Sequence, residues 1–197
     1  LYFLLFTFCL QAQVTADFSA NITSGCSPIV VDFTDLSTLN GLPIPYKSIF
    51  NGDAFNSNTW DLGNSNTSTL QNPGATYNTP GTYTVTLTVT DGVTNDTETK
   101  TAYITVFANP TANFSGAPTS GCLPLSVSFS DLSTLGSGAI NQWFWDFGDG
   151  QNSAQQNPTH IYTSPGSKTV SLVVTDVNGC TKSITTPNYI NAFNGPN

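Results

Sequence analysis

The chain repeats itself, and that repetition limits its possible folds more than any other feature. Ala16-Asp17-Phe18-Ser19 and Ser24-Gly25-Cys26-Ser27-Pro28 return as Ala112-Asn113-Phe114-Ser115 and Ser120-Gly121-Cys122-Leu123-Pro124. Asp35-Leu36-Ser37-Thr38 returns as Asp131-Leu132-Ser133-Thr134, again 96 residues on. From Trp60-Asp61-Leu62-Gly63, matched by Trp145-Asp146-Phe147-Gly148, the offset is 85 residues. It persists through Gln71-Asn72-Pro73 and Gln156-Asn157-Pro158, Pro80-Gly81 and Pro165-Gly166, and Thr90-Asp91 and Thr175-Asp176. The difference, 96 − 85 = 11, places an 11-residue insertion in the first copy between Thr38 and Trp60. One module occurs twice.

Within each copy the apolar period is two. Tyr83, Val85, Leu87 and Val89 alternate with threonines from Thr82 to Thr90, and Val170, Leu172 and Val174 repeat the pattern. Trp143, Trp145 and Phe147 form a further alternating face that ends at Asp149-Gly150, a turn pair. Such patterns are half-buried strands, and many short strands broken by turn residues make an antiparallel sandwich. The fold class is therefore all-β, with two tandem Ig-like antiparallel β-sandwich domains. Charged residues are only 8% of the chain, but aromatics reach 12%, enough to build cores. Trp60 and Trp145, equivalent and on the apolar side of their strands, are expected in those cores with Leu62 and Phe147, and not as sugar platforms on the surface.

Residues Leu1 to Leu10 are apolar and run into Gln11-Ala12-Gln13, the pattern of a secretory signal that begins inside its h-region. The run is too short for a membrane span, which needs about 20 apolar residues, and Phe8 is too large to precede a lipidated Cys9. The expected organisation is a truncated signal peptide over 1–12, a first module over 13–108 with an inserted loop 39–57, and a second over 109–193. Residues 194–197 form a link, and a third module is expected beyond, because Tyr189-Ile190-Asn191 and the Phe-, Asn- and Pro-bearing end repeat the junction after Tyr103-Ile104-Thr105. Twelve acidic residues face four lysines and no arginine, a net charge of −8, which disfavours nucleic acid and anionic membranes as partners.

Several residues invite a chemical role. His160 is the single histidine, stands where the first copy has Ala75, and reads as scaffold. Zinc has no ligand set, with one histidine and three mature cysteines spread over both copies. Asp146 and Asp149 could be paired carboxylates, but their places suit a backbone cap and a hairpin turn. Cys122, before a strand, and Cys180, in the turn after Thr175-Asp176, are expected to form a disulfide, which secretion permits. Cys26 is then left over, because Asn95 stands opposite Cys180. It is either the relic of a lost bridge or a thiol available to another chain. The insertion offers Tyr46, Phe50 and Phe55 as a possible contact loop, or as aromatics that the loop buries itself.

Trp145-Asp146-Phe147-Gly148-Asp149-Gly150, Asn157-Pro158-Thr159-His160-Ile161-Tyr162, Pro165-Gly166 and the run from Val170 to Asp176 resemble the signature of PKD domains, in the family's order. The first copy diverges, with Asn64-Ser65 for Asp149-Gly150, which puts its turn geometry in question and not its fold. The resemblance implies extracellular modules that serve as spacers, adhesive units or appendages of secreted hydrolases. Some members bind calcium, which keeps calcium open at Asp146 and Asp149; no other cofactor is implied. The expected function is a non-catalytic spacer and adhesion pair that binds extracellular protein or polysaccharide. The alternative is the accessory region of a secreted protease or glycosidase whose catalytic domain lies beyond residue 197. Low charge and Asn, Thr and Gly richness also resemble bacterial proteins exported by the type IX route.

Overall fold

The computed structural model of the chain describes residues 13–43 and 57–195. The signal segment and the contact-loop residues Tyr46, Phe50 and Phe55 lie outside these. The described residues are all-β, with two compact units. One comprises the residues up to Ser24 with Pro28–Thr105, the other Gly25–Ser27 with the residues from Val106 onward. No helix among the described residues is long and apolar enough to cross a membrane.

In the first copy the strands are β1 (Val14–Thr15), β2 (Phe18–Ala20), β3 (Ser24–Cys26), β4 (Ile29–Asp35), β5 (Thr38–Leu39), β6 (Leu42–Pro43), β7 (Ser57–Asp61), β8 (Thr67–Ser68), β9 (Gly74–Tyr77), β10 (Gly81–Thr90) and β11 (Asn95–Phe107). They form sheets in the orders β2-β4-β9 and β3-β11-β10-β7-β8, with a small β1-β5-β6 sheet. The second copy has β12 (Phe114–Ala117), β13 (Ser120–Cys122), β14 (Leu125–Asp131), β15 (Ile140–Asp146), β16 (Asn152–Ser153), β17 (Thr159–Tyr162), β18 (Gly166–Asp176) and β19 (Thr181–Phe193). Its sheets, β12-β14-β17 and β13-β19-β18-β15-β16, repeat the first arrangement. Most pairs are antiparallel, but β13 runs parallel to β19, with Cys122 opposite Phe193.

The two-residue period explains which side chains are buried. In β10 Val85, Leu87 and Val89 are buried, while the threonines between them face solvent and meet those of β11, Thr86 to Thr99 at 3.2 Å and Thr88 to Thr97 at 2.9 Å. The indoles of Trp60 and Trp145 are fully buried, with Leu62 and Phe147 at 2% exposure, as the alternation requires, while Trp143 is partly buried. Trp60 packs edge-on against Phe18 at 5.2 Å, and Trp145 against Phe114 at 5.4 Å. A buried indole N–H needs an acceptor; Trp60 Nε1 donates to the Leu70 carbonyl and Trp145 Nε1 to that of Gln155, both at 2.9 Å.

Candidate functional site

Beyond β15 the chain must reverse, and Asp-Phe-Gly-Asp-Gly supplies the means. Asp146 Oδ1 accepts the Gly148 amide at 2.9 Å. Gly148 has φ +75°, and a β-carbon there would lie 2.2 Å from the Thr169 carbonyl oxygen, so only glycine fits. Asp149 Oδ1 accepts the Gln151 amide at 3.1 Å, and Gly150 follows at φ +88°. The first copy builds the same turn from different residues. Asp61 accepts the Gly63 amide at 2.9 Å, Asn64 Oδ1 accepts the Asn66 amide at 3.2 Å, and Ser65 adopts φ 69° where the second copy has glycine. Divergence in sequence has left the turn geometry intact.

His160 ties this turn to β17. Its Nε2 meets Asp149 Oδ2 at 2.8 Å, with both side chains mostly buried. Its ring stacks on Phe147, with centroids 4.1 Å apart and planes 6° from parallel, and Tyr162 packs against it edge-on at 4.6 Å. Tyr162 donates to the Phe147 carbonyl at 3.1 Å. Burial, and then the negative charges of Asp149 and Asp146, push the Tyr162 hydroxyl well above the usual tyrosine range. Burial likewise holds Tyr77 up at about 12, helped by Tyr83 and Asp61. With Ala75 in place of the histidine, the first copy joins turn to strand through Asn64 Nδ2, which donates to the Thr76 carbonyl at 3.1 Å. The job of the His–Asp pair is thus filled by one amide.

Asp131, Asp17 and Asp176 are also engaged with their surroundings, although Asp176 Oδ2 is buried without a hydrogen-bond partner. Asp131 Oδ1 accepts the Ser133 amide at 2.9 Å, and Oδ2 accepts Trp143 Nε1 at 2.7 Å and Gln156 Nε2 at 3.2 Å. Burial alone pushes this carboxyl up, but hydrogen bonds from Ser133, Trp143 and Gln156 outweigh it and set the net direction below 3.8. Asp17 is lowered chiefly by its hydrogen bond from Lys100, at 2.9 Å. Asp176 Oδ1 caps the turn that presents Cys180, accepting the Asn178 amide at 2.9 Å and the Cys180 amide at 2.8 Å. Among the described residues no three His, Cys, Asp or Glu side chains gather as metal ligands.

A feature that the sequence reading missed is a polar cleft of about 310 Å³ in the first unit, lined by Asn64, Asn66, Thr79, Tyr77 and Tyr83 among others. The signal was Tyr83 in place of Lys168, beside the diverged turn. The phenol rings of Tyr77 and Tyr83 lie 4.7 Å apart.

The cysteines overturn the expected pairing. Cys180 bonds to Cys26, with Cα atoms 5.4 Å apart, and Cys122 is free and exposed. The pair Cys122–Cys180 is the one that a single sequence copy contains. The compact unit does not follow that copy: it takes in residues 25–27 from the first, and so brings Cys26 to Cys180. Cys26 is neither a relic nor a free thiol.

Parts of the chain are similar to known proteins. The chain is 46% identical over 71 residues to a microbial collagenase of Vibrio alginolyticus, and 46% identical over 55 residues to the pre-pro-metalloprotease PrtV of Vibrio cholerae. These alignments cover 36% and 28% of the chain but only 9% and 6% of the relatives, so the chain spans a small part of their length. Among solved structures, the PKD1 domain of Vibrio anguillarum Epp is 36% identical, over 43% of this chain and 96% of that one, at a TM-score of 0.38. The PKD1 domain of Vibrio cholerae PrtV is 34% identical, over 42% and 98%, at 0.37. The sequence profile of the PKD domain matches residues 27–106 and again 107–191. With both copies matched over most of their length, the chain belongs to the PKD domain family, as two modules in tandem.

Proposed function

We propose that the two modules are a non-catalytic spacer and adhesion pair in a secreted or cell-surface bacterial protein, engaging extracellular protein or polysaccharide. One observation carries this reading: the single histidine and the carboxylates of the two motif turns are spent on scaffold. Asp61 and Asp146 cap their own turns, Asp131 holds three neighbours, and His160 and Asp149 hold each other under a stacked phenylalanine. Adhesion would draw on the inserted loop with Tyr46, Phe50 and Phe55, and on the tyrosine-bearing cleft nearby in sequence. Export through the type IX route belongs to the same reading, supported by the low charge and by the composition.

A second reading, the accessory region of a secreted protease, is favoured by the relatives, a collagenase and a metalloprotease of which the matched segment is a minor part. Both readings are tested by sedimenting residues 13–197 with insoluble collagen fibres, chitin and cellulose. Retention on at least one, weakened by joint replacement of Tyr46, Phe50 and Phe55 with alanine, is the expected result. Turnover of any of these polymers that is lost in His160→Ala would overturn the non-catalytic reading.

A further inference from the structure

Cys26 and Cys122 occupy the same position in the repeat, yet one is bonded and the other is free. Their backbone settings match closely. The amide after Cys26, that of Ser27, donates to the Phe107 carbonyl at 2.9 Å, and the amide after Cys122, that of Leu123, donates to the Phe193 carbonyl at 2.9 Å. At the other end of each short strand, Thr105 donates to the Thr23 carbonyl at 2.8 Å and Asn191 to that of Thr119 at 2.9 Å. The exits share Phe and Pro, Phe107-Ala108-Asn109-Pro110 against Phe193-Asn194-Gly195-Pro196, but Gly195 has no counterpart of the Asn109 side chain.

Cys26 does not find its partner in its own sequence copy, whose hairpin turn carries Asn95. It bonds instead to Cys180, in the β18–β19 turn of the following copy, where Asp176 fixes the Cys180 amide. The residues flanking Cys26, Gly25 and Ser27, belong to that later unit as well, and Asn109 donates its side-chain amide to the Ser27 carbonyl. The rule read from this one bond is directional: the cysteine of the short parallel strand pairs with the hairpin-turn cysteine of the next module. Cys122 holds the donating position of that rule, and Cys180, the one turn cysteine here, is already taken.

We propose that Cys122 is a linking thiol, whose partner is the hairpin-turn cysteine of a further PKD module, so that successive modules are joined covalently, each to the next. The lone thiol does not carry this by itself; the bonded state of its repeat counterpart does. The proposal is independent of whether the pair acts as adhesin or as protease accessory. In chemical terms, the Cys122 thiolate attacks a disulfide oxidant such as oxidised glutathione and displaces one glutathione thiolate. The turn-cysteine thiolate of the next module then displaces the second. One protein disulfide forms, one glutathione disulfide is reduced, and the two thiol protons end on two glutathiones.

The test extends residues 13–197 by a second copy of residues 112–197 placed directly after Asn197, which stands where Thr111 does. The protein is oxidised with glutathione, blocked with N-ethylmaleimide and mapped by mass spectrometry without reduction. The expected map has Cys26–Cys180, then Cys122 bonded to the turn cysteine of the appended module, and one alkylated thiol, the appended counterpart of Cys122. In Cys122→Ser the appended turn cysteine should become alkylated, with Cys26–Cys180 unchanged. Alkylated Cys122 in a chain that has formed Cys26–Cys180 would overturn the proposal. Failure of Cys26–Cys180 itself would remove the precedent, and the proposal with it.

Discussion

Gly148 and Thr169 approach so closely that a β-carbon on the glycine would stand 2.2 Å from the threonine carbonyl oxygen, and Gly63 and Thr84 repeat the contact at the same distance. Backbone against backbone cannot yield as a side chain can. Gly148→Ala is therefore expected to cost about 3 kcal/mol or more. Gly150 also has positive φ, but nothing lies within 4 Å of its virtual β-carbon. Gly150→Ala should cost only the left-handed penalty, about 1 kcal/mol. Urea unfolding of the two variants measures the difference, and equal losses would contradict the close-approach account.

Ser65 holds φ 69° on an exposed turn where the second module uses glycine. The strain of a left-handed serine exceeds the entropy that glycine adds to the unfolded chain. Ser65→Gly should accordingly raise stability by about 0.5–1 kcal/mol, and Ser65→Val, β-branched, should lower it. Thermal melting with the three residues at position 65 orders them directly.

Asp131 links stability to acid. Its folded pKa lies below 3.8, so the carboxylate contributes stability that is fully present above that value. The contribution is lost as the pH falls through the folded pKa, when protonation weakens the bonds from Ser133, Trp143 and Gln156. Asp131→Asn should reduce stability at pH 7 and flatten its decline between pH 4 and the acid limit. Urea midpoints across that window check the sign; an unchanged slope would show that the decline belongs to other carboxylates, such as Asp17.

Much of this was legible from residue order alone. A two-residue period cannot be satisfied on a helix, so Val85, Leu87 and Val89 announced a strand, and the equivalence of Trp60 and Trp145 announced two cores. The turn motif was readable because Asp and Gly have backbone roles at fixed offsets. The disulfide was not, because cysteine connectivity depends on which segments share a unit. Residues 25–27 leave their own copy, a fact no periodicity records. A clue was present in the count: both short strands carry cysteine, but only one hairpin turn does. The cleft at Tyr83 was hidden for a different reason, since it arises from a loop that diverged while its geometry stayed the same.

The order of strands in the larger sheets has a consequence for an array of near-identical modules. Neighbours joined in one chain meet at high local concentration, and related strands can be exchanged between them. Open edges are where such exchange begins. Here the long strands, β18 of 11 residues and β19 of 13, are interior to their sheet, and its edges are β13 and β16, of three and two residues. The first copy is arranged alike, with β3 and β8 at the edges. These edge strands cover little of what they border. Among the described residues β13 pairs with β19 only at Asn191–Phe193, so β19 from Thr181 to Ile190 has no strand partner on that side, and it is there that an array of such modules is open to exchange.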